Sequence, residues 1–375
     1  MRHLALHGHG QKNIRQSSQP LSRRPGGHSA RAGASRTAGA HNLLTVVVTA
    51  SASPLNPSTA ILQELLLSLR LLQLPPGNPV LLSHDGPRLL PAALEDPSSP
   101  AGAFPPKYLQ YLARVEALVP TASTCTGLAI RLLLRAANGN LAGNLAFALG
   151  HVKTPYVLKV EHDHMFVRPV DMLSVVMDLH ADPRLKYVRF NRRANVRRNC
   201  DNGDYPRSLL GTEDERMARR LWGPHEPPSG TTLSNSYVRT ACFSDMNHLT
   251  PTAYYRKEIL PVILRDPKLP PETLMQDNCY LARNHSYYGT YIYGALDAPP
   301  TITHIDAALH GVGELLPSVR DWLRDTRNRV RNGTEPNDPF VCRPPRVFQR
   351  ESRAASTPSR FHGLQSLRTK LASSG

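Results

Sequence analysis

The chain has 375 residues, 40% of them hydrophobic, and a net charge of +16, enough apolar material to bury one large domain or two ordinary ones. Residues 1–41 carry +7 without a single acid, residues 343–375 carry +6 with Glu351 as their sole acid, and the stretch between keeps only +3. A nearly neutral body between basic ends argues against a nucleic-acid-binding protein, and no nucleic-acid partner is expected.

Composition divides the chain into a disordered basic leader over 1–41, a globular body over 42–335 with halves near 42–190 and 191–335, and a disordered basic tail over 336–375. The acid-free, Arg- and Ser-containing leader also has the composition of an organellar transit peptide, which leaves an organellar and a cytoplasmic location open. Residues 43–63 lack charge, but Pro54, Asn56 and Pro57 interrupt them, so no transmembrane segment is expected. The five cysteines are dispersed and never in C-x-x-C spacing, which indicates neither a zinc ribbon nor a disulfide scaffold. The sequons at Asn284 and Asn332 are too short a pattern to establish secretion.

In chain order, the β-branched run Leu43–Val48 reads as a strand, Thr49–Pro57 as a polar loop, and Ser58–Leu72 as a helix that Ser58 or Thr59 can cap. Pro75-Pro76-Gly77-Asn78 breaks that helix, and Val80–Leu82 forms a second strand ending at Ser83-His84-Asp85-Gly86. A Pro-rich loop over 88–105, a helix over Lys107–Leu118 and an unassigned stretch over 119–138 follow. Asn144–His151 reads as a helix, Tyr156–Glu161 as a strand, Val170–His180 as a helix with Pro169 in its first turn, and Tyr187–Phe190 as a strand. Residues 191–235, Arg-rich and punctuated by Gly and Pro, read as a long irregular insertion. Cys242–Ser244 is then strand-like, Thr250–Ile263 and Leu274–Arg283 are helical, Tyr288–Tyr293 is a strand, and Val319, Trp322 and Leu323 mark a closing helix. Alternating strands and helices predict an α/β fold with a mainly parallel, Rossmann-like sheet covered by helices. In such sheets ligands bind beyond the carboxyl ends of the strands, where Thr49–Ser51, Asp85 and Glu161–Asp163 fall.

The apolar strand Tyr156–Val160 ends in Glu161-His162-Asp163-His164. Strand alternation puts Glu161 and Asp163 on one face and His162 and His164 on the other. Adjacent carboxylates repel one another, and a divalent cation relieves that repulsion; oxygen ligands suit Mg²⁺ or Mn²⁺. Asp163 is the principal metal candidate and Glu161 a helper, with the two histidines on the structural face.

These residues resemble the GT-A glycosyltransferases, most closely the broad family-2-like group, from about Leu43 to Asp306. Val46–Ser51 resembles the segment that edges the nucleotide base, which brings Thr49 and Ser51 to the donor. Asp85 resembles the acid that contacts the nucleoside. Asn138-Gly139 and Asn144-Leu145-Ala146 resemble the N-G and N-x-A stretch leading into the metal strand, and Glu161-His162-Asp163 takes the place of the D-x-D, with Glu replacing the first Asp. Leu274–Asp277 resembles the E-D motif whose Asp is the catalytic base of inverting members, with Gln276 in place of Glu, and His304 sits where a late residue completes the metal shell. Phe243–His248 occupies the position of the acceptor-facing segment. The resemblance implies metal-dependent, inverting transfer of a sugar from a nucleotide-sugar donor to the hydroxyl of a glycan, protein or small-molecule acceptor. Thr49, Ser51, Asp85, Asn144 and Glu161 would hold the donor, Asp163, Glu161 and His304 a Mn²⁺ or Mg²⁺ ion, and Asp277 the proton. Arg192, Arg193, Arg197 and Arg198 could clamp donor phosphates, and Trp222 could stack on a sugar; a solvated loop and a structural anchor are the plain alternatives.

Two other enzyme readings stand beside this one. A sugar-nucleotide nucleotidyltransferase would share the sheet and the metal acids, but its usual Gly-rich basic loop is missing from Thr49–Pro57. A 2-oxoglutarate-dependent iron oxygenase would use His304-Ile305-Asp306 with the distal His362, and requires a β-jelly-roll.

Overall fold

The computed structural model describes residues 43–87 apart from 54, then 104–195, 216, 219–241, 243–279, 285–305, 317–332, 334 and 340–345; at 104, 105, 276–279, 317–320 and 323 it describes the backbone alone. Strands β1 Leu44–Ala50, β2 Pro79–His84, β3 Ala129–Leu134, β4 Tyr156–Glu161, β6 Tyr187–Arg189, β7 Gly223–Pro224, β8 Tyr237–Arg239, β9 His248–Pro251 and β10 Thr290–Tyr293 form one nine-stranded sheet in the order β3-β2-β1-β4-β9-β6-β10-β8-β7. The pairings β3–β2–β1–β4 are all parallel, and only β9 and β8 run against the rest. The expected mixed α/β architecture with a mainly parallel sheet is therefore what forms. β5 His164–Phe166 and β11 Ile302–His304 make a separate antiparallel ribbon.

Every residue of β1 is buried, as a continuous apolar run flanked by parallel neighbours must be. Its alternation divides the core between the two sheet faces. Val46 and Val48 join Leu158 and Val160 of β4 against Leu65 and Leu66 of α1 (Ala60–Ser68), Tyr108 and Val115 of α2 (Phe104–Thr126) and Val175 of α4 (Met172–Ala181). Val47 turns the other way with Leu81 and Val157, onto Leu145 and Leu149 of α3 (Asn140–His151) and onto Ile259 and Ile263. Helices on both faces leave open the sheet's carboxyl edge, where loops emerge.

Several boundaries differ from the sequence reading, each for a local reason. Asp171 caps α4, its Oδ1 accepting from Ser174 N at 3.1 Å, so the helix starts at Met172 and Pro169 lies outside its first turn. At α1 the hydroxyls bond elsewhere: Ser58 Oγ accepts from Ala60 N, and Thr59 Oγ1 from Gln63 Nε2. α2 runs through Pro120 and takes in much of the unassigned stretch. The strands following the 191–235 region are β8 and β9, which lie on either side of the expected Cys242–Ser244, and a helical run of Thr252–Tyr254, a π turn Tyr255–Ile259 and Leu260–Ile263 follows β9. Gly289, at φ +57°, separates a single helical turn, His285–Tyr288, from β10, which shortens the strand read from Tyr288. α5 spans Pro271–Cys279 and the closing helix α6 Pro317–Arg331.

Beyond α6, residues 340–345 pack onto the body although their composition reads as tail. Phe340 is buried, Cys342 forms a disulfide with Cys125 at the end of α2, Arg343 pairs with Glu64 of α1, and Arg70 Nη1 donates to the Arg343 carbonyl at 3.2 Å. Dispersed cysteines thus conceal one long-range bridge. Among the described residues no helix is long and apolar enough to cross a membrane. Among the described residues the sheets are this nine-stranded one and the short ribbon, not the jelly-roll that the iron-oxygenase alternative needs; its Asp306 and His362 lie outside the described residues.

Candidate active site

The strand order β3-β2-β1 followed by β4 reverses direction of growth beside β1, and a crevice opens at the carboxyl ends on either side of such a point. A cleft of about 450 Å³ occupies it, lined by Thr49 and Ser51 at the end of β1, Asp85 after β2, Asn144 on α3, and Glu161 with Asp163 at the end of β4. The topology therefore brings together six of the sequence-selected residues from four separate segments.

Within the cleft these residues do different work. Asn144 is buried and its amide is committed: Nδ2 donates to the carbonyls of Ala50 and Ser83, and Oδ1 accepts from Ser83 Oγ at 2.7 Å. It ties β1 to β2 and shapes the cleft floor. Thr49 Oγ1 donates to the Val160 carbonyl at 3.3 Å. Asp85 is different. Its Oδ1 accepts from Gly139 N at 2.8 Å and Gly86 N at 3.0 Å, but its buried Oδ2 has no hydrogen-bond partner among the described residues. Burial raises its carboxyl pKa against the pull of those amides and of Arg135, so Asp85 offers an unused acceptor to whatever fills the cleft.

Glu161 closes β4, and a turn at His162-Asp163 separates it from β5. Four backbone groups at this turn have side-chain or backbone partners: Glu161 N donates to Asn247 Oδ1, His162 N to the Thr49 carbonyl, Ile305 N to the Asp163 carbonyl, and Asn247 Nδ2 to the His164 carbonyl. Asn247, fully buried, grips both ends. The turn interrupts strand alternation, so the assignment of His164 to a face opposite Asp163 is corrected. His164 Nδ1 lies 3.3 Å from Asp163 Oδ1 and 2.6 Å from Glu161 Oε2. The β5–β11 register then sets His304 directly across from His164, with rings stacked at 4.4 Å, and His304 Nε2 comes 3.3 Å from Asp163 Oδ2. Donor atoms of Asp163, His164 and His304 all lie within 4.8 Å of one another, a group that could hold a metal ion.

Glu161 is drawn away from that group. Lys159, buried in the middle of β4, donates to Glu161 Oε1 at 2.7 Å and to the Asp245 carbonyl. Burial penalises the Glu161 carboxylate, but Lys159 and His164 outweigh it and hold its pKa down to about 2. Burial likewise opposes the charge on Lys159, and Glu161 with Asp245 more than compensates. Asp163 stays well below the usual carboxylate range because His162, His164 and His304 together overcome its burial.

Sequence reasoning missed three residues here: Lys159, His164 and Asn247. The first had a signal, since a lysine inside an apolar strand needs a carboxylate, and Glu161 is the next residue on its face. Asp277 lies on α5, but its side chain is outside the described residues, as are Arg197 and Arg198. Trp222 is half-buried beside β7.

No protein-family model and no curated protein matches the sequence. Among solved structures the chain is similar to S. aureus TarS, at 12% identity and a TM-score of 0.37, covering 78% of this chain and 44% of that one. The 1–349 fragment of TarS in complex with UDP-GlcNAc matches at the same identity and TM-score, over 78% of this chain and 71% of its own. This chain thus spans less than half the length of the first of these, and at such a TM-score the likeness carries no argument about ligand or activity.

Proposed function

We propose that the protein transfers a sugar from a nucleotide-sugar donor to an acceptor hydroxyl, with the help of a divalent cation. The observation that carries this reading is the cleft at the switch point, which places an unsatisfied carboxylate acceptor, Asp85, at one end and a cation-type ligand group around Asp163 at the other. A nucleotide diphosphate matches that polarity: its base and ribose carry donors, and its phosphates carry negative charge. Asp85 would accept from the nucleoside, Thr49 and Ser51 would edge it, and Asn144 would keep the floor in shape. Asp163 and His304 would hold the cation. A bound cation would neutralise charge as it develops on the departing diphosphate. Asp277, on α5, is proposed as the base that takes the acceptor's proton, which predicts inversion at the anomeric carbon.

The test is a panel of UDP-, GDP- and ADP-sugars and their nucleotide diphosphates, with and without Mn²⁺, on wild type and Asp163→Ala. Cation-dependent thermal stabilisation by at least one nucleotide diphosphate, lost in the variant, is expected. Failure of every nucleotide to stabilise the protein, together with no hydrolysis or transfer, would rule the reading out. Asp277→Asn should keep donor affinity and lose transfer; transfer at the wild-type rate would remove Asp277 from its role.

A further inference from the structure

We infer that His164 is a third protein ligand of the cation, in place of Glu161, and that the resulting set of two imidazoles and one carboxylate selects a first-row transition metal over Mg²⁺. This deepens the proposed function by assigning the ion and its ligands, and it rests on that reading only for the ion's purpose. Three independent observations support it. His164 is 4% exposed, and while its Nδ1 faces Glu161 Oε2 at 2.6 Å, its buried Nε2 has no hydrogen-bond partner among the described residues, an expensive condition for an imidazole with no ligand to serve. The ribbon register, not chance proximity, puts it opposite His304. One donor atom each from Asp163, His164 and His304 lie within 4.8 Å of one another, close enough to share a single ion.

Glu161 has the opposite character. One of its oxygens is bound to Lys159 and the other faces His164 Nδ1 at 2.6 Å. A carboxylate in contact with the second nitrogen of a metal-bound histidine is the usual arrangement around such ligands; it fixes the ring and raises its basicity. Lys159 thus anchors Glu161, Glu161 orients His164, and His164 reaches the ion. Mg²⁺ favours all-oxygen shells, whereas imidazole suits Fe²⁺, Co²⁺ and Zn²⁺, and two histidines with one carboxylate is the donor set of facial iron sites.

The test uses metals alone on the full chain, without nucleotide. Purified protein stripped of metal is titrated with Mg²⁺, Mn²⁺, Co²⁺ and Zn²⁺, and bound metal is read by mass spectrometry after buffer exchange. Wild type should bind Co²⁺ and Zn²⁺ at least about 100-fold more tightly than Mg²⁺, and His164→Ala should lose at least about tenfold of the Co²⁺ affinity, more than Glu161→Gln loses. Equal affinity for Mg²⁺ and Co²⁺, or a His164→Ala protein that binds Co²⁺ as wild type does, overturns the inference. Should His164→Ala not fold, pulsed EPR of the Mn²⁺-loaded wild type with ¹⁵N-labelled histidine decides without a variant: two imidazole nitrogens on the ion support it, and one or none sinks it. Metal binding through His164 with no response to any nucleotide would defeat the proposed function alone; nucleotide binding through an ion that sees only one imidazole would defeat this inference alone.

Discussion

Replacing Lys159 with Met should destabilise the fold by about 3 kcal/mol and disorganise the candidate site. Lys159 is 1% exposed, and its ammonium makes two contacts, with Glu161 Oε1 at 2.7 Å and with the Asp245 carbonyl. Losing the charge-assisted bond costs about 1.5–3 kcal/mol, and the abandoned carbonyl about 1 kcal/mol more. Relief of the lysine's own desolvation offsets part of that, whereas Glu161 becomes a largely buried carboxylate with one fewer countercharge; removing one member of such a pair commonly costs about 3–5 kcal/mol. A domain of this size should then melt about 6–12 °C lower. Calorimetry and urea titration of Lys159→Met, Glu161→Gln and the double variant supply the assay. The double variant should recover at least half of the loss, because a neutral amide beside a methionine leaves no uncompensated charge. A single variant within about 0.5 kcal/mol of wild type, or a double variant no better than the single, would refute this reasoning and with it the chain of support from Lys159 through Glu161 to His164.

Reduction of the Cys125–Cys342 bridge, or Cys342→Ser, should lower stability by at most about 5 kcal/mol, the chain-entropy value for a cross-link spanning 217 residues; identical melting with and without reductant would show that the bridge does not constrain the unfolded chain. A Cβ on Gly86 would come within 2.2 Å of the Ala137 carbonyl carbon, so Gly86→Ala should displace the turn beside Asp85, cost about 1–3 kcal/mol and weaken nucleotide binding in a titration that leaves metal affinity unchanged. Asp182, fully buried, has its pKa depressed to about 2 because bonds from Arg184 and His225 outweigh its burial. A depressed carboxylate stabilises the fold above its unfolded pKa, and that contribution fades as pH falls from about 4 to 2; it amounts to about 2 kcal/mol. Asp182→Asn should flatten this part of the stability profile, and an unchanged acid limb would contradict the assignment.

How much of this was legible in the sequence depended on whether the governing interaction was local. β1 was readable because a strand buried on both faces must be apolar throughout, and Val46-Val47-Val48 states that without help. β9 was not: His248-Leu249-Thr250-Pro251 has no apolar run, and becomes a strand because β4 and β6 flank it on both sides. The same contrast holds for the Cys125–Cys342 bridge. Spacing of dispersed cysteines says nothing about pairing until α2 and the 340–345 segment are placed together.

At the site, the acids were legible and their division of labour was not. Asp85, Glu161 and Asp163 stand at strand ends, where the geometry of a parallel sheet collects polar groups from distant parts of the chain. Period-two alternation, applied through Glu161-His162-Asp163-His164, assigned His164 to the wrong face because it assumed that the strand continues. A strand can continue only while a neighbour pairs with it; here His162 N bonds back to Thr49 and the chain turns toward β11. That turn carries His164 across to His304, a partner 140 residues away, and leaves Glu161 behind with Lys159. A run of four ionisable residues is therefore ambiguous in principle: the same letters give two carboxylate ligands on a straight strand, or one carboxylate and one imidazole on a bent one. What decides between them is where the neighbouring strand ends.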